Sequence, residues 1–227
     1  MCTVTFLPKG EGKYILTSNR DETPKRAAAP PQVYHVHNQE ITFPKDPLAG
    51  GTWIATDNKR FTLCLLNGAF EKHKHVPPYK TSRGIMLLDF FRFNDANAFR
   101  STYDFEGIEP FTLVIVDAQE STKIFELRWD EQQVSFEEFP NDVPKIWSSS
   151  TLYPKAIADQ RTSWFEEWIS AHENYEQSEI INFHKNGGRG DLWNNFIMKR
   201  GDNLQTVSIT SIEKGNDYEM VYEDLLE

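Results

Sequence analysis

The sequence predicts an α+β protein whose antiparallel sheets carry helices packed on their outer faces. Three observations predict it. Strand-like runs come in hairpin pairs, as in residues 3–7 and 13–18 around Lys9-Gly10-Glu11-Gly12. Helical segments are confined to two blocks, near 82–103 and 154–186, with strand-like runs before, between and after them. Regular strand–helix–strand alternation, which a doubly wound parallel sheet requires for its crossovers, is absent.

Taken in order, the first hairpin brings the start of one strand beside the end of its partner, so Cys2 and Asn19-Arg20-Asp21-Glu22 are expected at one end of a sheet. A Pro/Ala loop spans 23–31, and a strand is expected over Gln32–His37. Gly50-Gly51 precedes Thr52-Trp53-Ile54-Ala55-Thr56, which pairs through Asp57–Arg60 with Phe61–Gly68. The paired glycines suit either a turn or a close backbone approach to a ligand. Ser82 is placed to cap a helix to Phe91, and Asn94 a second helix to about Tyr103. Strands follow at Phe111–Asp117, Lys123–Arg128, Val134–Phe139 and Lys145–Ser148. Pro154 opens a long helix with Ile157, Trp164, Phe165, Trp168 and Ile169 on one face, a stripe of core type. Ser178–Asn186 is a further helix ended by Gly187-Gly188, and Gln205–Ile212 and Tyr218–Tyr222 are the last strands.

The 227 residues, 39% hydrophobic and 13% aromatic, suffice for a substantial core and are read as one domain over 1–227. With only Cys2 and Cys64, the chain is read as reduced and cytoplasmic rather than as a disulfide scaffold. Charged residues interrupt every early apolar run, so neither a signal peptide nor a transmembrane segment is expected. The net charge of -10 is concentrated: residues 101–145 hold 11 acids against Lys123, Arg128 and Lys145. Such a surface repels phosphate backbones, which excludes nucleic acid as a partner.

Cys2 is the first candidate for chemistry. Once Met1 is removed, thiol and α-amine share one residue, and an amine with a reference pKa of about 7.7–8.0 serves as the base for its own nucleophile. The charges of Arg20, Asp21 and Glu22 fit either a solvated turn or the surroundings of that cysteine.

Met1-Cys2-Thr3-Val4-Thr5, Ser18-Asn19-Arg20-Asp21-Glu22, Gly50-Gly51-Thr52-Trp53 and Ser82-Arg83-Gly84, in this order, resemble the NRDE family, also called the transport-and-Golgi-organisation protein 2 family. The resemblance is dense over 1–84 and thinner beyond. It implies a four-layer αββα sandwich of the N-terminal-nucleophile-hydrolase type, close to bile-salt and penicillin V acylases. It further implies that Cys2 attacks an amide carbonyl, that Arg20 and Asp21 orient its amine and thiol with Asn19 beside them in the same cleft, and that Asn67 donates to the oxyanion. Gly51, Thr52, Trp53 and Arg83 are implied in ligand binding, and Ser149 stands where the acylases carry a second oxyanion donor. The implied partner is a small amide, with no cofactor and no metal. A second implied role uses the same cleft without catalysis to handle haem or acyl lipid. For that role His35-Val36-His37 and His73-Lys74-His75 read either as iron or zinc ligands or as exposed surface histidines.

Overall fold

A computed structural model describes residues 3–119 and 121–226, and the backbone separates into two compact units, Met1–Ala27 with Asp142–Glu227, and Ala28–Asn141. In each unit a single antiparallel sheet carries helices on one face.

The terminal unit holds a six-stranded sheet in the order β10-β1-β2-β12-β11, with β13 also paired to β12. β1 (Thr3–Gly10) and β2 (Lys13–Glu22) form the expected hairpin, turned by Gly10, Glu11 and Gly12 in succession at positive φ, which glycine adopts without steric cost. β10 (Lys145–Ser148) lies outside β1; β11 (Lys199–Arg200), β12 (Leu204–Lys214) and β13 (Tyr218–Asp224) lie beyond β2. Period-2 alternation sends Thr3, Thr5, Leu7, Ile15, Thr17, Asn19 and Asp21 to the helix side. There Leu7 and Ile15 meet Trp164 and Phe165 of α3 (Lys155–Ser170) and Ile180 and Phe183 of α4 (Gln177–Asn186), joined by Phe196. The stripe read on α3 is therefore core. Pro154 stands just outside α3 instead of opening it, and α4 starts one residue before Ser178 because Glu176 and Glu179 close a capping box.

The central unit is a seven-stranded sheet in chain order, β3 (Ala29–Val36), β4 (Gln39–Lys45), β5 (Ile54–Thr56), β6 (Phe61–Asn67), β7 (Phe111–Asp117), β8 (Lys123–Trp129) and β9 (Val134–Phe139). Its helices are α1 (Arg83–Asp89) and α2 (Ala96–Thr102). They pack through edge-to-face contacts of Phe90 with Phe61 and Phe99, and of Phe99 with Phe105. Ser82 caps α1 as expected, whereas Asp95, not Asn94, caps α2. β4 is absent from the sequence reading, and β3 starts inside the Pro/Ala stretch. The two are joined by His37-Asn38, both at positive φ, so His37 turns the chain instead of sharing a strand face with His35. Among the described residues no helix is long and apolar enough to cross a membrane.

Candidate active site

Cys2 lies outside the described residues, so its neighbour Thr3 locates the site. Thr3 pairs with Asn19 on one side and Ser148 on the other, while Asp21 pairs with Thr206 and Arg20 with Ser208 across a bulge in β12. The start of β1 therefore sits between Ser148 and the Asn19-Arg20-Asp21 run.

Asn19 is fully buried on the helix side. Its amide nitrogen donates to the Phe196 carbonyl at 2.8 Å, which leaves Oδ1 to accept from Nδ1 of His184 at 2.5 Å. Nε2 of His184 lies 2.8 Å from the Thr5 hydroxyl, from which it accepts when the imidazole is neutral. Burial, with the nearby Arg161 charge, pulls His184 down to about 3, so the imidazole is neutral and carries its proton on Nδ1. Asp21 points the same way, one carboxylate oxygen accepting from Tyr153 at 2.9 Å and the other from Thr206 at 2.6 Å. Arg161 has no exposed surface. Its guanidinium lies 3.7 Å from the Tyr153 ring centroid and donates to the Thr3 hydroxyl and to the Asn194 and Asn195 carbonyls. Arg20, on the opposite face and 2% exposed, donates to the Arg26 carbonyl at 2.8 Å. Ser149, also buried, shares a 2.8 Å hydrogen bond with Thr151 just past β10.

The terminal unit thus gathers Asn19 and Asp21 on the helix side of its sheet, with Arg20 on the opposite face and Ser149 just past β10. It adds Tyr153, Arg161, His184 and Thr206, which the sequence reading missed. Two of these carried a signal. Arg161 lies at helical spacing between Ile157 and Trp164, and His184 follows Gln177, Ile180 and Ile181 along α4, so both are polar residues at core positions of an apolar stripe.

The remaining expected residues belong to the central unit. Gly51 approaches Gly84 so closely that a Cβ there would lie 2.4 Å from the Gly84 carbonyl carbon, and a Cβ on Gly84 would lie 2.7 Å from the Thr52 carbonyl oxygen. Both motif glycines are explained by this contact between α1 and the segment before β5. Thr52 is buried, its hydroxyl donating to the Pro44 carbonyl at 2.7 Å, and Trp53 is buried at 3% exposure. Asn67 closes β6; the next amide, of Gly68, donates to the Pro110 carbonyl at 2.9 Å, which also accepts from Arg83 at 3.1 Å. Arg83 pairs with Glu109 at 2.9 Å, and His73 and His75 each meet Glu109 at 3.0 Å. Burial alone would raise the Glu109 carboxyl, but the Arg83 charge and the two imidazoles outweigh it and hold the group below its ordinary range. His73 is therefore an enclosed partner of a carboxylate, neither surface-exposed nor arranged as a ligand. Among the described residues no group of three or more His, Cys, Asp and Glu is arranged to hold a metal ion.

A profile of the family described as Transport and Golgi organisation 2 matches residues 1–186. The chain belongs to this family. No curated protein matches the sequence. Among solved structures, this member of the Transport and Golgi organisation 2 family is similar to a Caenorhabditis elegans N-acylethanolamine-hydrolyzing acid amidase ortholog. That likeness has a TM-score of 0.54 and 9% identity, over 93% of this chain and 92% of that one. Conjugated bile acid hydrolase from Clostridium perfringens, as a variant, gives 0.48 and 10% over 99% and 92%. Penicillin V acylase from Agrobacterium tumefaciens gives 0.40 and 8% over 100% and 87%. At such identities the first likeness speaks for the fold, which is that of the N-terminal nucleophile hydrolases.

Proposed function

We propose that the chain is a cysteine amidohydrolase of the N-terminal-nucleophile type, with Cys2 as nucleophile and a small C–N amide as substrate. The observation that carries this reading is the bracing of Thr3. Paired to Asn19 and Ser148 and held by Arg161, the residue after Cys2 is anchored at a buried polar corner of the sheet.

The chemistry needs Cys2 to become the first residue. Its α-amine takes the thiol proton while sulfur bonds to the amide carbon. As the tetrahedral adduct collapses, the C–N bond breaks and the amine leaves with that proton, giving a thioester. Water, deprotonated by the same amine, then cleaves the thioester to the acid and restores the thiol. Asp21, fixed by Tyr153 and Thr206, and Asn19, fixed by His184, are positioning residues in this reading. Arg20 supports the thiolate, and Asn67 is the oxyanion donor, whose replacement by Ala lowers turnover by about 10²–10³. Gly51, Thr52, Trp53, Arg83 and Ser149 remain proposed ligand contacts.

Intact-mass measurement of the purified protein, labelling by iodoacetamide and assay against N-acyl amides test it together. The expected result is loss of Met1, one rapid thiol label, and turnover that disappears in Cys2→Ala. Met1 retained on all molecules overturns hydrolysis and leaves non-catalytic binding of acyl lipid or haem, to be tested by ligand titration.

A further inference from the structure

We propose that the loop between α4 and β11 docks the protein on the surface of an anionic phospholipid bilayer through Leu192 and Trp193. These neighbours in sequence are 61% and 57% exposed, whereas the other exposed large apolar side chains among the described residues, Val33, Leu48, Phe70, Val76 and Val143, stand apart from one another along the chain. Isolated apolar residues on a surface are ordinary; a paired leucine and tryptophan held in water is not.

The backbone behind them is fixed. Asp191 accepts from the Trp193 amide at 2.9 Å and from the Asn194 side chain at 2.7 Å, and its carbonyl accepts from the Asn194 and Asn195 amides. The Leu192 carbonyl accepts from the Lys199 amide at 2.7 Å, and the Trp193 carbonyl accepts from Arg200 at 3.0 Å. The loop therefore bears the ordering cost of a built structure, with Phe196 and Met198 buried, while leaving Leu192 and Trp193 hydrated. Insertion between lipid headgroups removes that surface from water and gives the indole N–H a polar partner, the placement tryptophan favours at membrane interfaces.

Charge selects the surface. Residues 185–200 contain Arg189, Lys199 and Arg200 against the single acid Asp191, with Lys185 paired to Glu223 at 2.6 Å, inside a chain of net charge -10. The pair Arg189–Glu167 is 70% and 59% exposed, so it is weak and exchanges readily for a lipid phosphate. Arg200 also bonds the Leu152 carbonyl at 3.1 Å and lies 5.1 Å from the Tyr153 ring, whose hydroxyl holds Asp21. The docking loop is thereby linked to the candidate site, although the proposal stands without the hydrolase reading.

Flotation of the full chain with phosphatidylcholine–phosphatidylserine vesicles tests it. The wild type is expected to float with the vesicles, to bind pure phosphatidylcholine more weakly, and to dissociate as salt rises. Leu192→Ser with Trp193→Ser is expected to weaken partitioning by about tenfold or more, with the circular dichroism melt unchanged. Arg189→Glu with Lys199→Glu is expected to abolish the preference for phosphatidylserine. Should the serine variant fail to fold, a chain keeping Trp193 as its one tryptophan is expected to shift its emission to the blue on vesicle addition. No flotation of the wild type, equal flotation of the serine variant, or emission unmoved by vesicles overturns the proposal. So does self-association that the serine variant loses while vesicles bind neither form.

Discussion

His184 makes a pH dependence that belongs to one residue. Its imidazole is buried, neutral and pulled to about 3, against 6.5 for an exposed histidine. Between those values the unfolded chain binds a proton that the folded chain refuses, so ν_U exceeds ν_N and stability rises with pH. The contribution is fully present above pH 6.5, declines as pH falls, and is gone near pH 3, with a slope of at most about 1.4 kcal/mol per pH unit. Glu109 adds loss in the same direction, since its lowered carboxyl gives up its ion pairs on protonation. The His184 share is therefore read as the difference between wild type and His184→Gln, whose amide offers the same donor and acceptor. Urea midpoints from pH 7.5 to 4 are expected to fall more steeply for the wild type; equal slopes would remove the neutral, tautomer-fixed imidazole from the account. The burial of His184 was legible in its place on the apolar stripe of α4, but its partners were not, because Asn19 and Thr5 lie 165 and 179 positions away.

At the scale of elements, the contact between the segment before β5 and the start of α1 depends on two glycines. An Ala side chain at Gly51 would meet backbone atoms of Gly84 and Ile85 at 2.4–2.7 Å, and backbone yields far less than a flexible side chain. Gly51→Ala and Gly84→Ala are each expected to destabilise by about 2–3 kcal/mol or to misfold. Gly10→Ala meets nothing within 4 Å, and there only the positive φ costs, about 1 kcal/mol. Chemical denaturation of the three variants checks this ordering, and equal losses would refute the close-approach explanation. Of the two alternatives for the paired glycines, the turn holds at Gly50, which has positive φ and donates its amide to the Asp46 carbonyl at 2.8 Å, but neither alternative gave the contact of Gly51 with α1, which needs Ser82-Arg83-Gly84 folded back on Thr52. Hairpins were legible because Leu-, Ile- and Val-rich runs alternate about polar turns. β4 was not, since its turn is His37-Asn38 without glycine and Pro44 interrupts its end. The candidate site divided likewise: the register that puts Asn19 beside Thr3 follows from the first hairpin, whereas Tyr153 and Thr206 reach Asp21 only through the fold.

For the whole molecule the decisive fact is connectivity. The sheet of the terminal unit takes β1 and β2 from before Ala28 and β10 to β13 from after Asn141, while the central unit is continuous. If the central unit unfolds first, the terminal sheet must hold together across an unstructured loop of roughly a hundred residues, an entropic burden on the order of 4 kcal/mol by (3/2)RT ln n. That is a large part of the 5–15 kcal/mol typical of a domain. The terminal unit is thus expected never to outlast the central one, and the chain, proposed as one domain over 1–227, to unfold in a single transition. Tryptophans divide conveniently, Trp53 and Trp129 in the central unit and Trp147, Trp164, Trp168 and Trp193 in the terminal. Two variants, each keeping the tryptophans of one unit with the others changed to Phe, report the units separately in urea. Coincident midpoints agree with the single transition, whereas a terminal midpoint below the central one would refute the single transition and keep the connectivity argument. A terminal signal that persists after the central signal has gone would contradict it, because the sheet would then be closing that loop without help.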